Sequence, residues 1–233
     1  MSMDRRASAP RFPRVALFDL DGTLLDSAPD MVVTANRMLA ARDRPPVGLA
    51  LLRQHVSKGA RAMVAAAFPE LDEAGRDALV PEFLATYRQE LGRHSALFDD
   101  VAAMLQALED DGARWGIITN KAEYLARDVV AGLEWQRRCA VLVGGDTYAE
   151  KKPHPLPLLE AARSLGVDPG ECVYVGDDER DVVAARAAGM PSIAVTWGYR
   201  LDGDDPQAWR ADAMAYRPGE LLDPAAWPRR PGG

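Results

Sequence analysis

Three carboxylates lie within eight residues of the segment VALFDLDGTLLDSAPD, which spans residues 15–30. Asp19 and Asp21 directly follow an apolar run, and Asp26 comes five residues later. Mutual repulsion disfavours such a cluster unless a cation or a reaction stabilises it. Carboxylates in this setting can bind a metal ion, attack an electrophile or transfer a proton. The segment therefore indicates chemistry at Asp19 and Asp21.

Polar residues also follow the ends of three later apolar runs. Thr119 and Asn120 end RWGIITN, Lys152 comes soon after CAVLVGGD, and Asp177 ends CVYVGD. Ligands of open α/β sheets bind at the carboxyl ends of the strands. We therefore expect these residues to converge with Asp19 on one edge of a sheet.

The converging acids predict a magnesium site. Asp19, Asp21 and Asp177 would form a dense negative pocket, and Mg²⁺ prefers carboxylate, carbonyl and water oxygens. Asp19, at the strand tip, is the better placed nucleophile for a phosphorus atom. Asp21 lies two residues further on and points from the same side, so it could protonate the leaving oxygen and then deprotonate water.

The remaining strand-end residues fit a bound phosphoryl group. Thr119, Asn120 and the backbone amides around Gly22 can donate to phosphoryl oxygens. A lysine supplies the positive charge that the transition state needs. Lys151 and Lys152 are adjacent, and we choose Lys152 because it directly precedes Pro153.

The order of predicted elements indicates how these residues are positioned. Strands and helices alternate after residue 95, which predicts an α/β fold with a doubly wound parallel sheet. We assign this core to residues 14–26 and 95–225. Residues 27–94 show only helical spacing and are predicted to form a small all-helical cap, called here the helical insert. SAPD suggests a capping box from Ser27 to Asp30. We expect a disordered leader over residues 1–13 and a flexible tail over residues 226–233.

Composition limits the partners. The 233 residues carry a net charge of −7 and contain no basic block, which argues against nucleic acid or anionic lipid. We expect no signal peptide, because no long apolar region follows the basic N-terminal residues, and no stretch approaches a membrane span of about 20 apolar residues. The two cysteines form no CxxC motif and suggest a reducing cytoplasm. We expect a monomer or homodimer that binds a small anionic phosphorylated metabolite.

Four motifs resemble the signature of the haloacid dehalogenase (HAD) superfamily: DLDGTLLDS, a strand-terminal TN, a Lys-Pro pair and GDDERD, in that order. An insert after the first motif is similar to the type-one cap of the phosphoglycolate phosphatase branch. The resemblance implies that Asp19 is a nucleophile and metal ligand and that Asp21 is an acid/base giving its backbone carbonyl to the metal. It implies phosphate contacts for Thr119 and Lys152, and metal ligation by Asp177.

The fourth motif carries two further acids. By the same resemblance, Asp181 would orient Lys152 or a metal-bound water. Asp178 stands where this branch often has Ser or Thr, which leaves open which of the adjacent acids contacts the metal.

The resemblance leaves the substrate open. The segments SKGARAMV and VTWGYR are similar to bacterial proteins labelled phosphoglycolate phosphatase, a group that includes N-acetylmuramic acid 6-phosphate phosphatases. We expect Lys58, Gly59 and Arg61 to meet an anionic substrate. We predict a Mg²⁺-dependent phosphatase acting through an aspartyl-phosphate, with phosphoglycolate first and N-acetylmuramate 6-phosphate or another sugar phosphate as alternative.

Three rival activities remain. A phosphomutase of the same fold would return the phosphoryl group to a sugar, and the four motifs barely separate it from a phosphatase. A haloacid dehalogenase would gain nothing from Asp21. A catalytically silent binding module would not need every catalytic position to be filled.

Overall fold

A computed structural model describes residues 10–228. Its centre is a six-stranded parallel sheet in the order β5-β4-β1-β6-β7-β8. The strands are β1 (Val15–Phe18), β4 (Arg114–Ile118), β5 (Cys139–Val143), β6 (Cys172–Gly176), β7 (Ser192–Val195) and β8 (Ala213–Ala215). The chain therefore places the two strands that end in acids, β1 and β6, side by side at the centre.

Helices cover both faces of the sheet, as a doubly wound fold requires. They are α5 (Val101–Asp110), α6 (Glu123–Gly132), α7 (Leu156–Leu165) and α8 (Glu179–Ala188). Side chains alternate along β1, so Ala16 and Phe18 pack with α5 and α6, while Val15 and Leu17 pack with α7 and α8. All four residues of β1 are fully buried. The predicted fold class is confirmed.

Two short strands, β2 (Leu25–Asp26) and β3 (Ala96–Leu97), pair antiparallel where the chain leaves and re-enters the core. Between them lie α1 (Ala28–Ala40), α2 (Leu49–Arg53), α3 (Ala60–Ala67), α4 (Glu73–Glu90) and a 3-10 turn at Val56–Lys58. These helices bury an apolar cluster of their own that includes Met38, Met63 and Phe83. No helix within residues 10–228 is long and apolar enough to cross a membrane.

The capping box predicted for α1 is wrong. Ser27 makes no side-chain cap, and its buried hydroxyl has no hydrogen-bond partner within residues 10–228. The Asp30 carboxylate instead accepts hydrogen bonds from the backbone N–H of Gly92 and His94, at 2.7 Å each, and from the Ser95 hydroxyl. Asp30 is fully buried, and three donors from the segment after α4 satisfy it. It therefore joins the beginning of the helical insert to its end.

The two chain ends are packed where the structure describes them, so the expected leader and tail are wrong over residues 10–13 and 226–228. The rings of Phe12 and Trp227 are 6.1 Å apart, edge to face, and both are buried. The backbone N–H groups of Arg11 and Phe12 donate to the Asp111 carboxylate at 2.7 and 3.0 Å. Two aromatic rings on the sheet-facing core stabilise both ends. Residues 1–9 and 229–233 lie outside the described residues.

Candidate active site

Three buried acids meet at the carboxyl edge of the central strands. Asp19 follows β1, Asp177 follows β6, and Asp181 lies in the first turn of α8. One carboxylate oxygen from each lies within 4.8 Å of the others. The three residues are 8%, 0% and 1% exposed, so their charges are poorly screened by water. The pairing of β1 with β6 brings Asp19 next to two acids that lie more than 150 residues away in the chain.

Asp177 is fixed by donors from three segments. One carboxylate oxygen accepts from the Thr23 hydroxyl at 3.0 Å. The other accepts from the Ser57 hydroxyl and from the Tyr199 backbone N–H, at 2.9 Å each. Burial, and then the nearby charges of Asp19 and Asp181, raise the pKa of Asp177 well above its ordinary value. An acid held this firmly against other acids indicates a place for a cation.

Glycines enclose the Asp177 side chain on two sides. A Cβ added to Gly22 would lie 2.2 Å from a carboxylate oxygen of Asp177, and one added to Gly198 would lie 2.4 Å from its Cβ and from the same oxygen. Gly22 also has a φ of +91°, which disfavours any other residue. Only glycine fits these positions without moving the carboxylate.

The donor set fits a hard divalent cation. Oxygen atoms are the only side-chain donors in the cluster, and Mg²⁺ is bound by carboxylates and carbonyls in this way. Asp19 and Asp177 offer the carboxylates that could hold the cation. The side chain of Asp21 is not part of this cluster, and its two oxygens bind Lys121 at 2.7 and 3.0 Å.

Lys152 lies at the centre of a buried network. Its ammonium is 3.1 Å from Asp19 and 2.7 Å from Asp181, and it donates to the Tyr174 hydroxyl at 2.7 Å. Burial alone would lower the pKa of Lys152, but Asp181 and Asp19 outweigh it and raise the pKa. Lys151 is exposed by comparison. The structure thus brings Lys152, rather than its neighbour, to the strand-end acids.

Both carboxylate oxygens of Asp181 accept hydrogen bonds from protein donors. Besides Lys152, it accepts from the backbone N–H of Asp178 at 3.1 Å. Burial raises the pKa of Asp181 to about 7, although the Lys152 ammonium opposes the rise. These contacts suit a residue that orients Lys152 more than one that binds a cation directly.

Thr119 and Asn120 follow β4 and line one cavity together with Asp19 and Lys152. Thr119 is 3% exposed, and its hydroxyl accepts from the Lys121 backbone N–H at 3.2 Å. The Asn120 amide donates to the Lys152 backbone carbonyl at 2.9 Å, while its own oxygen is buried without a partner among the described residues. Asn120 therefore supports the segment that carries Lys152.

Asp178 is directed away from the acidic cluster. Its carboxylate is 2.7 Å from the Lys58 ammonium and 2.7 Å from the Arg180 guanidinium. Burial opposes ionisation, but hydrogen bonds and charge from Arg180 and Lys58 lower the pKa of Asp178 to about 2. Of the two adjacent acids, Asp177 is the one that joins the cluster.

Residues 16–195 match the family model described as haloacid dehalogenase-like hydrolase. The chain belongs to this family.

Similar proteins agree with this membership. A phosphoglycolate phosphatase from Xanthomonas campestris is 63% identical over 94% of this chain and 99% of its own length. An N-acetylmuramic acid 6-phosphate phosphatase from Pseudomonas aeruginosa is 42% identical over 90% of this chain and 93% of its own. A crystal structure from Haemophilus somnus, titled a predicted phosphoglycolate phosphatase, has a TM-score of 0.81 at 25% identity, covering 92% of this chain and 98% of that one.

In this haloacid dehalogenase-like hydrolase, a cavity of about 330 Å³ lies between the strand ends and the helical insert. Asp19, Asp21, Thr119 and Lys152 line its floor. Apolar side chains of the insert and of α6 line the opposite wall: Met31, Val56, Phe83, Leu84 and Leu125. The cavity therefore joins a charged floor to an apolar wall.

The three insert residues expected to meet the substrate all line this cavity. Lys58 is paired with Asp178, as described above. Gly59, with a φ of +86°, ends the 3-10 turn and precedes α3. The Arg61 side chain is 66% exposed, and its guanidinium lies 2.9 Å from Asp77. The ammonium and guanidinium are thus already engaged by acids.

Sequence reasoning missed Lys121, Tyr87 and Ser57. Lys121 follows the strand-terminal TN, and its position beside that motif was the available signal. Tyr87 and Ser57 lie in the helical insert, where no local pattern distinguishes a residue that reaches the core. Tyr87 accepts a hydrogen bond from Lys121 at 2.8 Å, and Ser57 donates to Asp177.

Asp26 is bound by two residues at the boundary of the insert. Its carboxylate is 2.8 Å from the Arg53 guanidinium and accepts from the Tyr199 hydroxyl at 2.7 Å. The Tyr199 hydroxyl in turn accepts from the backbone N–H of Ala28 at 3.0 Å. Asp26 therefore belongs to the connection between core and insert, separate from the acidic cluster.

Proposed function

We propose that this protein is a Mg²⁺-dependent phosphomonoester hydrolase that acts through an aspartyl-phosphate, with phosphoglycolate as its substrate. The observation that carries the proposal is the convergence of Asp19, Lys152, Thr119 and Asp181 on one cavity, with Asp177 clustered against Asp19 and Asp181. The names of the relatives at 63% and 58% identity support the choice of phosphoglycolate.

The reaction has two steps. Asp19 attacks phosphorus, and the bond from phosphorus to the leaving oxygen breaks while Asp21 gives that oxygen a proton. Asp21, now ionised, then takes a proton from a water that attacks the aspartyl-phosphate, and the bond between Asp19 and phosphorus breaks. Lys152 and the hydroxyl of Thr119 stabilise charge on the phosphoryl oxygens.

Asp19, Asp177 and the backbone carbonyl of Asp21 would hold Mg²⁺. When bound, the ion neutralises charge on the acids and on the phosphoryl group. Asp181 keeps Lys152 in place, and Asn120 supports the backbone that carries it. The helical insert, which we assign to residues 27–94, closes over the cavity and excludes water from the transfer.

The cavity favours a second candidate, N-acetylmuramate 6-phosphate or another sugar phosphate. A volume of about 330 Å³ is within the usual range for a site that holds a drug-sized ligand. Phosphoglycolate has little apolar surface to place against Phe83 and Leu125. The relative from Pseudomonas aeruginosa also supports this candidate. In either case, the loop from Lys58 to Arg61 would face the part of the substrate beyond the phosphate.

Two broader features complete the proposal. We expect the protein to be cytoplasmic, since Cys139 and Cys172 are both free thiols. We expect a monomer or homodimer.

A panel of metabolite monoesters, ranked by kcat/KM with phosphate release as the readout, tests the function. We expect hydrolysis of phosphoglycolate or of N-acetylmuramate 6-phosphate, without an isomeric sugar phosphate among the products. EDTA should abolish activity, Mg²⁺ should restore it, and Ca²⁺ should inhibit because its coordination sphere is larger and looser. Activity toward no monoester would contradict the proposal, and an isomerised sugar phosphate would indicate a mutase.

A further inference from the structure

Lys121 makes contacts that none of the roles above uses. Its ammonium lies 2.7 and 3.0 Å from the two oxygens of Asp21 and donates to the Tyr87 hydroxyl at 2.8 Å. The Lys121 side chain is only 4% exposed, and that of Asp21 is 10% exposed. A shielded, bidentate contact of this kind restricts the carboxylate much more than an exposed ion pair does.

The three residues come from three parts of the fold. Asp21 follows the central strand β1, and Lys121 follows the neighbouring strand β4. Tyr87 lies on α4 in the helical insert and is 1% exposed, stacked on Phe83 with ring centroids 6.4 Å apart. The Lys121 ammonium also lies 4.7 Å from the centroid of the Tyr87 ring. Tyr87 therefore contacts Lys121 through both its hydroxyl and its ring.

We propose that Lys121 is a positioning residue that holds the Asp21 carboxylate toward the leaving group, and that Tyr87 sets the position of Lys121 from the helical insert. The inference rests on the proposed function, because it concerns the proton transfers assigned to Asp21. The contact between Tyr87 on α4 and Lys121 in the core then completes the set of residues that positions Asp21 for proton transfer. Without Lys121, Asp21 would keep no ion-pair partner among the residues that the structure describes, and its side chain would rotate among its conformers.

This role can be tested with two substrates whose leaving groups differ in their need for a proton. An alkyl phosphate needs a proton on its leaving oxygen, whereas p-nitrophenyl phosphate releases a stable anion. With Lys121→Met, kcat for the alkyl phosphate should fall at least about 100-fold, the scale of general acid–base catalysis. With p-nitrophenyl phosphate, the first step should persist and the second should slow, giving a burst of nitrophenolate.

Tyr87→Phe provides a second, milder variant that keeps the buried ring. Its kcat for the alkyl phosphate should fall several-fold, with KM nearly unchanged. Tyr124→Phe is the matched control, because Tyr124 is 40% exposed and lies outside the network. Circular dichroism should verify that each variant is folded.

Several outcomes would overturn the positioning role of Lys121. A rise in KM alone, equal for both substrates, would show that Lys121 binds substrate and would overturn the proposal. Equal loss of kcat for both substrates without a burst would also overturn it, as would wild-type kinetics in both variants. An inactive wild-type protein would instead contradict the proposed function, and this inference with it.

Discussion

Replacing Gly198 by Ala would displace a cation ligand without removing any functional group. The new Cβ would lie 2.4 Å from the Asp177 carboxylate, whereas ordinary contacts begin at about 3.4 Å. The carboxylate must therefore move by about 1 Å. Three hydrogen bonds, from Thr23, Ser57 and the Tyr199 backbone, oppose that movement. The strain falls on the acid that would hold Mg²⁺.

The displacement of the Asp177 carboxylate should weaken both magnesium binding and the stability of the fold. Loss of support for a metal ligand weakens metal binding about 10- to 100-fold, which corresponds to about 1.4–2.7 kcal/mol. Crowding in a packed site destabilises a fold by about 1–3 kcal/mol, and at this chain length each kcal/mol lowers Tm by about 2–4 °C. The Mg²⁺ concentration for half-maximal activity should therefore rise 10- to 100-fold in Gly198→Ala, with a modest fall in Tm.

A magnesium titration of phosphatase activity measures the first effect, and thermal unfolding measures the second. Gly132→Ala is the matched control, because Gly132 ends α6 and an added Cβ there has no atom within 4 Å. The control should keep wild-type magnesium dependence. If Gly198→Ala loses stability but keeps wild-type magnesium dependence, the assignment of Asp177 to the cation is refuted.

Three further predictions concern other acids. Asp19→Asn should remain folded and show no turnover and no phospho-enzyme; measurable phosphate release would disprove its role as nucleophile. Asp30→Ala should lower the free energy of unfolding by about 2–4 kcal/mol in urea titrations, since it leaves buried donors without an acceptor; an unchanged midpoint would contradict this. The pKa of Asp178 is lowered from 3.8 to about 2, so its contribution to stability is complete above pH 3.8 and is lost as the pH falls toward 2. The difference in unfolding free energy between wild type and Asp178→Asn should be about 2 kcal/mol at pH 6 and should shrink over that window.

Local patterns in the sequence determined the sheet, the helices and the acids at the strand ends. Apolar runs that end in polar residues predict buried parallel strands, and parallel strands place their carboxyl ends on one edge. The sequence therefore predicted that Asp19, Asp177 and Lys152 lie at the same edge of the sheet. The same reasoning failed for Ser27, because its capping signal was local while the partners of Asp30 lie more than 60 residues away.

Only the tertiary structure decided which charged groups pair with which. Lys121 meets Asp21 across 100 residues, and Lys58 meets Asp178 across 120. The first pair depends on the pairing of β1 with β4, and the second depends on how the helical insert packs over the core. No periodicity in the chain encodes either arrangement. Phe12 and Trp227 are also buried through contact between distant segments, since their rings pack against each other. The sequence thus determined the chemistry of the strand ends, and packing between distant segments determined how those groups are held.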